Sequence, residues 1–89
     1  MNDERLAAMR ERLESALAPE FLDIIDDSHK HVGHAGARDG RGHFTVRIRA
    51  KALAGQAMLA QHRAIYAALG TMMETDIHAL AIKVLGPEA

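Results

Sequence analysis

Cysteine is absent from this 89-residue chain, so it can form neither a disulfide nor a metal site resting on its own thiolates. Tryptophan is absent too, and the aromatic content stops at Phe21, Phe44 and Tyr66. That leaves almost no stacking platform for nucleobases, and the core has to come from Leu, Ile, Val, Ala and Met. An excess of one charge is also lacking. Eleven basic residues stand against twelve acidic ones, a net charge of −1 with neutral histidines. Polyanion binders draw much of their affinity from Lys and Arg neutralising phosphates. This balance does not suggest one, unless charge is segregated onto one face. No apolar run approaches the roughly 20 residues that span a bilayer. The run Met1-Asn2-Asp3-Glu4-Arg5 is polar and acidic, unlike a secretory signal or an Arg-rich transit peptide. The expected setting is cytoplasmic and reducing, without a membrane partner.

What is present reads as one domain over residues 1–89, with no room for a second core. Leu6, Met9, Leu13 and Leu17 recur at helical spacing, with Glu4, Arg5, Arg10, Glu11, Arg12 and Glu14 on the other faces. Asn2 is the expected N-cap, and Asp3 and Glu4 suit the positive end of the helix dipole. Pro19 closes the element, because the residue before a proline is pushed out of the α region. The spacing predicts a helix over 3–17. Phe21-Leu22-Asp23-Ile24-Ile25-Asp26 has the length and branching of a strand. Gly33, Gly36, Gly40 and Gly42 predict a long, mobile loop over 29–42. From His43 to Arg49 the pattern alternates, with Phe44, Val46 and Ile48 on one side and His43, Thr45, Arg47 and Arg49 on the other. That is a half-buried strand, paired antiparallel with the first.

Gly55 precedes a second helix expected over 57–72, its stripe formed by Met58, Ile65, Leu69 and Met72 or Met73, with His62 and Tyr66 on or beside it. A last strand is expected over 79–84. The order α-β-β-α-β gives an α/β (α+β) fold, a three-stranded sheet with helices packed on one face. The crossover through the second helix is long enough to lay the last strand parallel to one of the first two. The expected core is Leu6, Leu13, Leu17, Val46, Ile48, Ile65, Leu69, Leu80 and Ile82.

Six histidines stand out: His29, His31, His34, His43, His62 and His78. The first three crowd together at the start of the glycine-rich loop. Neutral imidazole suits iron, zinc, nickel and copper, so they form a candidate ligand group. An exposed, histidine-rich polar loop explains the same spacing, since no complete tetrahedral set is visible. His62 fits either a hydrogen-bonded buried histidine or a ligand. His78 shares the parity of Leu80, Ile82 and Val84, which in a regular strand aims it at the core. At a strand's first residue that parity can fail, leaving it exposed at an edge.

No H-E-x-x-H, Walker loop, G-x-S-x-G elbow or cysteine nucleophile is present. Asp23, Asp26 and Asp27 read as a solvated strand end. Gly33-His34-Ala35-Gly36 matches the G-x-x-G string of KH modules, but between strands and not between helices, so it carries no weight. Arg47, Arg49 and Lys51 could make a local basic edge, the candidate nucleic-acid contact.

Asp27-Ser28-His29-Lys30-His31, followed by Gly42-His43-Phe44 opening a strand, resembles the BolA-like family. So do the stretch Gly55 to Tyr66, with His62-Arg63 inside it, and the run Ile77-His78-Ala79-Leu80. The likeness covers nearly the whole chain. It departs at Leu53, where the family usually has an aromatic residue, and at Gln61, where it usually has arginine. The C-terminus stops soon after Pro87-Glu88, leaving the family's last helix short or missing.

The resemblance implies a type II KH-like α/β fold and a partner, a monothiol (CGFS-type) glutaredoxin that shares a [2Fe–2S] cluster. This chain would give imidazole where partner and glutathione give sulfur, holding no cluster by itself. Carried over by position, His78 is the C-terminal ligand, and the loop ligand is His31 or its rival His34. The expected role is a non-enzymatic adaptor in iron–sulfur trafficking or iron sensing, monomeric or weakly homodimeric when alone. The alternatives are a DNA-binding transcriptional regulator using the KH-like surface and, from another class, a metal-dependent enzyme.

Overall fold

A computed structural model describes residues 2–28 and 40–87. The first helix, α1, spans Asn2–Leu17 and buries Met9 and Leu13, with Leu6 and Leu17 packed at the margin of the core. It ends at Ala18, whose φ is 45° and whose N–H donates to the Glu14 carbonyl at 3.0 Å. Pro19 then withholds the next donor. Asn2 is the first helical residue and not the cap expected. Its amide nitrogen donates to the Asp26 carboxylate at 2.7 Å and to Ser28 Oγ at 3.3 Å. The start of α1 is thereby pinned to the end of the first strand.

Strand β1 (Phe21–Asp26) runs antiparallel to β2 (Gly42–Arg49), from the pair Phe21 and Arg49 to the pair Asp26 and Phe44. A short 3-10 turn, Lys51–Leu53, follows, then α2 (Met58–Leu69), the single turn α3 (Met72–Thr75) and β3 (Ile77–Val84). β3 lies parallel to β2, so the sheet order is β1-β2-β3 with β2 central. Only a crossover permits that pairing, and α2 supplies it. The expected α-β-β-α-β order and its mixed three-stranded sheet are what the chain forms.

The core gathers Met9 and Leu13 from α1, Phe44, Val46 and Ile48 from β2, Ile65 and Leu69 from α2, with Leu53, Met72 and Ile77. Leu80 and Ile82, expected inside, are only half-buried, because β3 is an edge strand. The second helix does not continue to residue 72. Gly70, at φ 57° and ψ −130°, donates its N–H to the Tyr66 carbonyl and ends it. Such a backbone is open to glycine at little cost. Met58 is also not part of a buried stripe, being 70 % exposed. Leu53, fully buried, closes the core at that end, and its carbonyl accepts from Gln61 Nε2 at 2.9 Å. The first turn of α2, with Met58 and Leu59, is exposed.

Two arginines of α1 tie the layers. Arg12 donates to the Leu69 carbonyl at 2.7 Å, satisfying one of the orphan acceptors at the end of α2. Arg5 donates to the Asp76 carboxylate at 3.2 Å. The Thr75 hydroxyl, followed by Arg5, holds the Asp76 carboxyl below its ordinary value of 3.8. A folded-state value lowered in this way gives stability that is present above the unfolded pKa and lost as pH falls through the folded one. Asp76→Asn should therefore cost up to about 1 kcal/mol at pH 7, the range of partly exposed ion pairs. Urea titrations of the two proteins should converge well below pH 3.8; a difference that persists undiminished there would remove the ionic contribution.

Candidate functional site

The ladder between β2 and β3 is irregular at its start. Gly42 pairs with Ile77, but the next residue, His43, pairs with Ala79. One residue on β3 is therefore extra, and it is His78. A bulge of this kind re-aims side chains and is common beside functional sites. Here it resolves the two readings of His78. Ile77 stays buried at 1 % exposure and Leu80 and Ile82 pack against the core, while His78 between them is exposed.

The His78 ring sits 5.2 Å from that of His43, tilted by 46°. His43 is held firmly from both sides. Its N–H donates to Ser28 Oγ at 3.1 Å, and its carbonyl accepts from the Asp27 N–H at 2.8 Å. The Asp27 carboxylate in turn accepts from the Thr45 hydroxyl. Gly42, one residue earlier, donates its N–H to the Asp76 carbonyl at 2.8 Å. The end of β1 and the start of β3 thus clamp the His43 backbone, and the residue is 7 % exposed. A shallow cavity of about 250 Å³ opens beside it, lined by Asp27, His43, Phe44, Ala79, Leu80 and Ala81. Arg41 completes the group, with Nη2 3.1 Å from His78 Nδ1.

Among the described residues, no three His, Asp or Glu side chains come together to hold a metal ion. His29, His31 and His34 lie outside the described residues. Among the described residues, the donor set fits an iron–sulfur cluster at one position. With no thiolate in the chain, it cannot hold the cluster alone. One exposed imidazole, His78, suits a single ligand position on a cluster whose sulfur ligands come from elsewhere.

The basic edge is arranged differently. Arg47 and Arg49 lie on the open face of β2, their guanidinium carbons 5.8 and 5.9 Å from the Phe21 ring centre. Arg47 is 3.5 Å from the Asp23 carboxylate, and Arg49 Nε donates to the Gly86 carbonyl at 2.8 Å. Lys51 is exposed on the 3-10 turn beyond the strand. His62, half-buried on α2, meets Tyr66 edge to face at 6.5 Å. Sequence reasoning placed His43 on the open side of β2 but did not join it, or Arg41, to His78. Strand parity gave the side; the neighbour depended on the bulge.

The model of the family described as BolA-like protein matches residues 13–89. The chain is 39% identical over 83 residues to protein BOLA1, chloroplastic, of Arabidopsis thaliana, covering 90% of this chain and 52% of that protein. It thus spans about half the length of that relative. It is 35% identical over 74 residues to the DNA-binding transcriptional regulator BolA of Escherichia coli, covering 83% of this chain and 68% of that protein. Among solved structures, the BolA domain of SufE1 from Arabidopsis thaliana superposes with a TM-score of 0.80 at 35% identity, covering 93% of this chain and 92% of that one. Fold and sequence agree, and the chain belongs to the BolA-like protein family.

Proposed function

We propose that this chain is a non-enzymatic adaptor that binds a monothiol (CGFS-type) glutaredoxin and shares a [2Fe–2S] cluster with it, in iron–sulfur trafficking or iron sensing. The observation that carries the reading is the bulge that turns His78 outward in a chain lacking cysteine. An imidazole on a rigid strand, half-supported by a second ring, is a good single ligand and a poor complete site. In this reading His78 supplies one nitrogen, His31 or His34 a second contact from the loop, and the partner and glutathione supply sulfur. Bound there, the cluster would supply one-electron redox chemistry. The chain's own part is to present the nitrogen.

The test is co-purification with a monothiol glutaredoxin under anaerobic conditions, followed by a visible absorption spectrum. A mixed complex whose spectrum differs from that of the glutaredoxin cluster alone supports the adaptor. Two proteins that elute apart, with the glutaredoxin spectrum unchanged, overturn it.

A second reading, transcriptional regulation through DNA, is favoured by Arg47 and Arg49 on the open face of β2, with Lys51 beyond them. The Escherichia coli relative is itself a DNA-binding transcriptional regulator. Both arginines are already engaged within the chain, which lowers what they offer to phosphates. Replacing both by Ala should flatten the log–log salt dependence of duplex binding by about 1.8 if each makes one phosphate contact. An unchanged slope in a fluorescence anisotropy titration would take that edge out of any DNA contact.

A further inference from the structure

We infer that Arg41 is a latch on His78: its guanidinium holds the Nδ1 lone pair and has to withdraw before the imidazole can bind a metal. The argument begins with the polarity of the contact. A guanidinium carries N–H donors and no acceptor. With Arg41 Nη2 3.1 Å from His78 Nδ1, that nitrogen must be the acceptor. A neutral imidazole has one lone-pair nitrogen and one N–H. The proton of neutral His78 therefore sits on Nε2.

Both routes to ligation then run through Arg41. A metal at Nδ1 needs the lone pair the guanidinium occupies. A metal at Nε2 needs the proton moved to Nδ1, which would set one N–H against another across 3.1 Å. A metal-bound histidine ordinarily donates its second nitrogen's proton to a carboxylate or carbonyl, and Arg41 has the opposite polarity. The contact thus suits the unloaded chain and opposes the loaded one. Arg41 stands immediately before β2, so its backbone is fixed by the start of that strand while its side chain reaches across to β3. The His43 ring lies 5.2 Å from that of His78, a neighbour that remains when Arg41 withdraws.

This inference rests on the reading of His78 as a ligand, but it can be tested in the chain alone. Diethyl pyrocarbonate acylates the lone-pair nitrogen of imidazole, the same electron pair a metal requires. Rates are followed residue by residue by mass spectrometry at pH 8, above the ordinary imidazole range. Arg41→Met keeps most of the side chain's bulk and removes every donor, and Arg41→Ala removes both. Loss of one hydrogen bond of ordinary net strength should speed acylation at His78 about two- to tenfold in each variant. His62, on α2, is the internal control and should keep its rate, which also reports an intact fold.

Equal His78 rates in all three proteins overturn the latch. A fast Arg41→Ala with an Arg41→Met as slow as the unaltered chain also overturns it, since only bulk would then be shielding the ring. The glutaredoxin reading fails on a different result, the absence of any mixed cluster complex with the unaltered chain. With the latch correct, Arg41→Met should also load the mixed complex faster. A slower loading would show that Arg41 assists the partner and would overturn the latch.

Discussion

His78→Ala should leave the chain folded and abolish the spectrum that distinguishes a mixed glutaredoxin complex from the glutaredoxin cluster alone. The first half follows from position. His78 is exposed, at a bulge, and its removal opens no cavity, so stability should change by no more than about 0.5 kcal/mol. The second half follows from the composition of the chain. With no cysteine to substitute, the site loses a ligand outright, and the cluster's electronics report ligand identity. Losses in outer-shell partners of metal ligands already cost about 10–100-fold, so cluster lifetime should fall by at least about tenfold. His78→Cys is the informative companion. A thiolate at the same bulge should restore lifetime but lower the reduction potential, because imidazole ligands raise it relative to thiolates. His62→Ala on α2 should alter neither property. A mixed complex of His78→Ala with unchanged spectrum and lifetime would end the claim that His78 touches the cluster.

What makes His78 the centre of that argument was only partly legible in the sequence. The alternation from His43 to Arg49 fixes which side of β2 is buried, since strand periodicity is local and strong. The helical spacing of Leu6, Met9, Leu13 and Leu17 fixes the inward face of α1 equally well. The exposure of His78 is another matter. Its parity with Leu80 and Ile82 argues for burial, and only the pairing with β2, one residue out of step between Gly42 and His43, reverses it. Pairing is a property of two segments distant in the chain, so no local pattern encodes it. The same holds for Arg41, whose partner lies 37 residues away. Gly70 shows the opposite failure. A glycine there was a local stop signal, but the apolar residues Met72 and Met73 continued the helical spacing and masked it. Met72 is indeed buried, from a separate turn. The resemblance to a family supplied His78, and geometry supplied its neighbours.

The residue beneath this site should carry the largest share of stability. Phe44→Ala is expected to cost about 3–5 kcal/mol, out of a total that for a small domain lies toward the low end of about 5–15 kcal/mol. The Phe44 side chain is 2 % exposed and belongs to the same core as Val46 and Ile48. It also explains why residue 42 is glycine. A Cβ built there would lie 2.5 and 2.6 Å from Phe44 Cε2 and Cζ, and 3.1 Å from Ser28 Oγ. The ring is too well packed to retreat, so Gly42→Ala must strain the start of β2, where the Asp76 carbonyl and the His43 clamp both attach. That makes the two positions energetically dependent, and urea denaturation can measure it. Phe44→Leu lacks the two ring atoms that meet the new methyl and should itself cost about 1 kcal/mol, so the protein stays folded for the comparison. Gly42→Ala should then be less harmful in the Phe44→Leu background than alone, by about 0.5–3 kcal/mol. Costs that add within about 0.5 kcal/mol would mean the ring yields freely. The close approach of backbone to ring would then not be what holds the bulged corner, and His78 with it, in place.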